Sequence, residues 1–156
     1  MTEEKNYRPN VAAIIVSSAY PEKKEIFIAQ RNDMYDIWQF PQGGIDEGET
    51  PDVALFRELE EEIGTCDASI IAEFPQWISY DFPLHIAEKM APFSGQKQRY
   101  YLVRLNESAV VNLQTQHPEF KEYCFVDVNE LFRRVVHFKK PIYEKVIKYF
   151  KEQGYL

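Results

Sequence analysis

Arg57-Glu58-Leu59-Glu60-Glu61-Glu62 is the stretch of this sequence with the greatest capacity for chemistry. On a helix of 3.6 residues per turn, Glu58, Glu61 and Glu62 fall at i, i+3 and i+4 and share one face. Like charges at that spacing cost a helix ~0.2–0.5 kcal/mol per pair. The arrangement therefore asks for a cation. Hard divalent ions such as Mg²⁺ take carboxylate oxygens together with substrate phosphates. Arg57 lies inside the cluster and can orient carboxylates through its bidentate fork. A solvated acidic helix would explain a bare glutamate run equally well, so the context decides. That context is Trp38–Glu49, WQFPQGGIDEGE, with three glycines and a proline. It reads as a loop, and glycines let a backbone approach a ligand closely.

These residues need elements to hold them. Thr50-Pro51 reads as a helix start, a side-chain cap followed by proline at the first helical position. The helix should run to Ile63, with Gly64 as a left-handed C-terminal cap. Val53, Phe56, Leu59 and Ile63, flanked by Leu55, would dock it on a sheet. Val11–Ser17 is an apolar run that suits a buried strand, and Glu25–Gln30 looks like its hairpin partner. Further strands are expected at Ile70–Phe74, Trp77–Tyr80, Arg99–Leu105 and Tyr123–Val126. A short helix is expected at Asn129–Val135. A final helix is expected at Pro141–Glu152, with Ile142, Val146, Ile147 and Phe150 on one face. Asp81–Ser94 shows no period and reads as loop. The mixture predicts an α/β protein, a mixed sheet with helices layered on it.

The chain has 156 residues and a mass of 18.4 kDa, which predicts one domain over residues 1–156. Its 45% apolar and 28% charged residues exclude a disordered or low-complexity chain. The formal charge, 18 − 25 = −7, makes it a poor general binder of DNA or other nucleic acid. Phosphates would have to be met by metal ions or by a local basic patch. Cys66 and Cys124 form no CxxC pair and read as free, structural thiols. No apolar run is long enough to span a bilayer. The polar start, MTEEKNYRPN, has no signal-peptide core, so a cytoplasmic location is expected.

The spacing is specific. Gly43, five residues, Glu49, seven residues, then Arg57-Glu58-Leu59-x-Glu61-Glu62-x-Gly64 resembles the signature of the Nudix hydrolases. Thr65 departs from it, standing where the family usually has an aliphatic residue; a small packing effect is expected there. The resemblance implies an α/β/α sandwich with a loop–helix–loop metal site acting on a nucleoside diphosphate linked to another group. It implies that Glu58 and Glu62 are the principal ligands of two or more Mg²⁺ or Mn²⁺ ions. Glu61 would be a further ligand or the base, the Gly43 carbonyl could also reach a metal, and Glu49 would hold Arg57.

Five further segments extend the resemblance over about residues 7–150. They are Tyr7–Val11, Trp38–Ile45, Gly95–Gln98, Pro118–Phe120 and Val136–Lys139. They resemble the branch containing bacterial RNA pyrophosphohydrolases and dinucleoside polyphosphate hydrolases. That branch implies Arg8, Lys97 and Lys139 on the polyphosphate. Phe138 would stack on a base, with Arg31 forming the other side of the slot. Gln39 and Val136 lie in matching segments and count as substrate-binding. Glu119 would be a metal ligand or the general base. Trp77 and Tyr80 match a similar pair, or simply pack the core. His85, His117 and His137 have no assigned role. The implied substrate is the single-stranded 5′ end of triphosphorylated RNA. The alternatives are a dinucleoside polyphosphate or, in another class, a regulatory domain that binds nucleotide without cleaving it. The sequence points to no protein partner.

Overall fold

The run Val11–Val16 is buried on both faces, as the centre of a layered sheet requires. The structure, a computed structural model, describes residues 5–156; the first four residues of the polar N-terminus lie outside it. In chain order it contains β1 (Tyr7–Val16), β2 (Ile26–Arg31), β3 (Trp38–Gln39), β4 (Gln42–Gly44), α1 (Pro51–Ile63), β5 (Ala68–Glu73), β6 (Ile78–Asp81), α2 (Leu84–Met90), β7 (Gly95–Leu105), β8 (Phe120–Val126), α3 (Val128–Arg134) and α4 (Lys140–Glu152).

The two longest strands, β1 and β7, pair in parallel from Tyr7↔Gly95 to Val16↔Arg104. The remaining pairings are antiparallel, so the sheet is mixed. Side chains alternate along each strand. Val11, Ala13 and Ile15 of β1, with Tyr101 and Val103 of β7, pack under Leu55, Leu59 and Ile63 of α1. Ala12, Ile14 and Val16, with Tyr100 and Leu102, pack under Leu131 of α3 and Val146, Ile147 and Phe150 of α4. The result is the expected α/β/α layering. Each fully buried aliphatic side chain contributes ~1.5–3 kcal/mol of transfer free energy.

Both central strands begin polar, YRPN in β1 and GQKQR in β7, and end apolar. At the polar end the sheet splits. β2 pairs β1 only at Val16↔Ile26, and β4 takes the place beside Asn10–Ala12. On the other side, β6 pairs the start of β7 and β5 its end. Polar side chains thus stand where strands part, and the candidate site forms there.

Several expectations need correcting. Trp38–Glu49 contains two short strands, because its tight turns bring Trp38–Gln39 onto β2 and Gln42–Gly44 onto β1. Asp81–Ser94 holds α2, which buries none of its residues and so leaves no apolar period to read. β1, β7 and β8 begin three or four residues earlier than expected, since their first residues are polar or bound the split. α1 runs from Pro51 to Ile63 as expected, and Gly64 closes it at φ 77°. The Thr50 hydroxyl does not cap it; it donates to Asp52 Oδ1 at 2.5 Å. The docking face comprises Ala54, Leu55, Leu59 and Ile63, whereas Val53 is 54% exposed. In α4 the buried face runs through Tyr143 rather than Ile142. Both cysteines are free, but Cys66 is exposed and takes no part in packing. Thr65 is buried, and its hydroxyl accepts the Asp67 N–H at 3.1 Å, so a hydrogen bond replaces the aliphatic contact.

Candidate active site

α1 presents its carboxylates to β4 across the split. Glu62 lies within the helix's docking face and is only 4% exposed. Its Oε2 accepts the Gln42 N–H at 3.0 Å. Burial, then the neighbouring carboxylates of Glu119 and Glu58, push its pKa well above the ordinary range. Glu58 rests directly on Gly43, where any side chain would overlap its carboxylate, so only glycine allows this approach. Burial raises the Glu58 pKa as well, against the pull of Arg57.

Arg57 organises the wall. Its Nε and Nη2 grip Glu49 at 2.7 Å each, a bidentate pair. Nη2 also donates to the Gly44 carbonyl at 2.8 Å, and Nη1 to Glu58 at 2.8 Å and Glu61 at 3.2 Å. Glu49 accepts the Asp46 N–H at 2.9 Å, and Arg57 above all brings its pKa down to about 2. The clamp ties the glycine loop to the helix. Glu119 arrives from the far end of the chain, just before β8. Its carbonyl and that of Pro118 accept Asn32, at 2.9 and 2.7 Å, and its side chain reaches Glu62. A cavity of about 560 Å³ opens along this wall, lined by Glu58, Glu61, Glu62, Asn112, His117 and Glu119.

Among the described residues no three His, Cys, Asp or Glu side chains form a finished ligand cluster. Glu58 and Glu61 rest on Arg57, and Glu62 on Gln42 and Glu119. The donor chemistry nevertheless fits a hard divalent ion: carboxylate oxygens only, with one carboxylate buried and under repulsion from two others.

The opposite wall lies on the α4 side of the sheet. Lys139 is 6% exposed; its Nζ donates to Gln42 Oε1 at 2.6 Å and stands 5.5 Å from the centre of the Tyr80 ring. Burial, with a smaller push from Arg31, lowers its pKa to about 7. The Tyr80 hydroxyl donates to Gln96 Oε1. Phe138, 44% exposed, packs on Tyr80 at 5.5 Å, beside the exposed Val136. Tyr80 is thus an aromatic neighbour of Phe138. Arg31 is held by Asp33 through Nε at 2.8 Å and Nη2 at 2.6 Å, within electrostatic reach of Lys139, Glu62 and Glu119. The Arg8 guanidinium lies against Gly44. Gln39 is buried in β3 opposite Ala29. His137 bonds the Trp38 carbonyl at 2.8 Å, and burial lowers its pKa, a structural role.

Lys97 does not join this wall. Strand alternation puts it with Arg99 and Tyr101 on the α1 side, 5.2 Å from the Trp77 ring, with Arg99 5.4 Å from the same ring. Gln96 and Gln98 lie on the α4 side in its place, both buried. The alternation within Gly95-Gln96-Lys97-Gln98 carries this placement, whereas the resemblance implies Lys97 on the polyphosphate. Gln42 and Asn10 carried no charge to single them out.

The NUDIX domain family model matches residues 6–148. A protein of Campylobacter jejuni subsp. jejuni serotype O:23/36 (strain 81-176) named RNA pyrophosphohydrolase is 62% identical over 156 residues, covering 100% of both chains. One of the same name from Helicobacter pylori (strain P12) is 55% identical and covers 97% of this chain and 98% of its own. Among solved structures, a binary complex of Caenorhabditis elegans Ap4A hydrolase superposes with a TM-score of 0.68. It is 17% identical and covers 93% of this chain and 98% of its own, a likeness of fold.

Proposed function

The chain belongs to the NUDIX domain family, and from that premise we propose that it is a phosphoanhydride hydrolase acting on the 5′-triphosphate end of single-stranded RNA. It would leave a 5′-monophosphate and release pyrophosphate, or two phosphates in turn, and so initiate mRNA decay. The observation that carries RNA as substrate is the full-length likeness, 62% and 55%, to proteins named RNA pyrophosphohydrolase.

Nudix hydrolases use divalent metal ions, and in this chain Glu58 and Glu62 would hold them as Mg²⁺ or Mn²⁺, two or more. Glu61, Glu119 and the Gly43 carbonyl would assist. Bound there, the ions supply charge neutralisation and water activation. Arg57 fixes Glu58 and Glu61 and keeps the glycine loop against the helix. Glu61 or Glu119, both exposed to the cavity, takes the proton from the attacking water. Arg8 and Lys139 face the phosphates, and Phe138 stacks on a base, worth ~1–3 kcal/mol. Gln39, Arg31 and Val136 complete the substrate side. Metal and local cations thereby let an acidic protein accept a polyanion.

Among the described residues no helix is long and apolar enough to cross a membrane. We take residues 1–156 as one domain working in the cytoplasm, with no role on DNA or membrane.

A second reading, hydrolysis of dinucleoside polyphosphates, is favoured by the same pairing of a phosphate wall with one exposed aromatic ring. Retention of every signature carboxylate counts against a regulatory domain that binds nucleotide uncleaved. The test compares kcat/KM, with Mg²⁺ in slight excess, for a γ-labelled 5′-triphosphate RNA with an unpaired end and for diadenosine tetraphosphate. Preference for RNA is expected. Preference for the dinucleotide would replace this reading with the second, and tight binding without phosphate release would revive the third.

A further inference from the structure

Behind the two walls runs a buried polar chain whose amides, Gln42, Gln98 and Asn10, have no role in the proposed reaction so far described. It starts at Lys139. In its charged form Lys139 has three donors and no acceptor, and Gln42 turns its Oε1 toward it, at 2.6 Å. The same oxygen accepts Gln98 Nε2 at 2.8 Å. The second N–H of that amide goes to Asn10 Oδ1 at 2.8 Å, and Gln98 Oε1 accepts the Tyr100 hydroxyl at 2.7 Å. Each amide orientation thus follows from the ammonium. Reversing the Gln98 amide would set its oxygen against two acceptors.

Gln98 is fully buried and Asn10 is 2% exposed. A buried polar group costs free energy unless it is satisfied, and a satisfied network is rigid. Through its main chain, Gln42 also donates to Glu62 Oε2 at 3.0 Å. One residue therefore joins the ammonium of one wall to the carboxylate of the other.

We propose that Asn10, Gln98 and Gln42 are positioning residues that fix the Lys139 ammonium at the head of the groove, where it meets the terminal phosphates of a polyphosphate chain. This rests on the reading that the groove takes such a chain. Asn10 and Gln98 act through Gln42 and Lys139 and need touch no substrate. Their contribution is made in binding, since Lys139 lies on the phosphate and base side.

A double-mutant cycle on Gln98→Met and Lys139→Met tests it. Methionine matches glutamine in length and falls one atom short of lysine, and it removes the polar group in both, including the Gln98 oxygen that accepts the Tyr100 hydroxyl. On triphosphorylated RNA, Gln98→Met raises KM about tenfold and changes kcat less than about threefold. In the Lys139→Met background the same change adds less than about twofold, because coupled residues are not additive. Calorimetry with inorganic tripolyphosphate gives the same cycle in Kd without turnover. Additive effects, or a fall in kcat at constant KM, overturn the inference. Should Gln98→Met fail to fold by circular dichroism, Gln42→Met at the half-buried end of the chain carries the same cycle and the same expectation. Failure of the wild type to cleave either RNA or diadenosine tetraphosphate refutes the underlying reading alone; the tripolyphosphate cycle still decides this one.

Discussion

The two walls that meet at Gln42 are built on opposite principles. The carboxylate wall comes mostly from one helix and the loop before it, Gly43 to Glu62, and its charges repel. Arg57 restrains that repulsion with five hydrogen bonds to Glu49, Glu58, Glu61 and Gly44. The cation–aromatic wall gathers Arg8, Tyr80, Gln96, Phe138 and Lys139 from along the whole chain. Its one buried charge is held by neutral amides. Chemistry can thus be assembled from residues close in sequence, whereas recognition here needs the finished sheet.

If the walls divide labour, substitutions should divide too. The largest expected effect is Glu62→Gln, a loss of turnover of about a thousandfold or more. A variant keeping more than about a tenth of the wild-type rate would remove Glu62 from the machinery. The fold should survive, because the change removes a buried carboxyl already repelled by Glu58 and Glu119. Next is Arg57→Ala, with kcat lower by about a hundredfold and KM moved less than about threefold. A change confined to KM would place the clamp on the recognition side. Phe138→Ala should do the reverse, raising KM for RNA about tenfold with kcat nearly constant. An unchanged KM would leave the second wall without its base platform.

Acid melting sharpens the first wall. Arg57 depresses the Glu49 pKa from 4.5 to about 2, so the pair's stabilisation is complete above about 4.5 and is lost as pH falls through about 2. Wild-type Tm should fall over that window, and Glu49→Gln should flatten the fall. Equal slopes would mean that the ion pair contributes nothing. The smallest effect is expected for Lys97→Ala, within about twofold in kcat/KM, since Lys97 lies on the α1 side against Trp77. A tenfold loss would show that the groove extends around the sheet.

The same contrast explains what the sequence made legible. Glu58, Glu61 and Glu62 could be read because helix geometry converts spacing directly into position, whereas Gly43 and Glu49, in the loop before α1, were legible only through the resemblance to the Nudix signature. The central apolar runs, the bounds of α1 and the left-handed Gly64 were legible for the same local reasons. The depth of Glu62 was not, because burial is decided by how α1 seats on β1 and β4. Gln98, Asn10 and Gln42 were missed because an amide has no charge to advertise it, and their meeting depends on pairings of β1 with β4 and β7 that span up to about ninety residues. The resemblance implies Lys97 on the polyphosphate, and strand alternation sets it on the α1 side beside Trp77. α2 was missed because it buries no face.

The most direct test of this division is made in the inactive Glu62→Gln protein, where Kd for a 5′-triphosphorylated, unpaired RNA can be measured with Mg²⁺ and without turnover. Adding Phe138→Ala should raise that Kd about tenfold. An unchanged Kd would contradict the account, for recognition would then lie with the carboxylates and their metal rather than across the sheet.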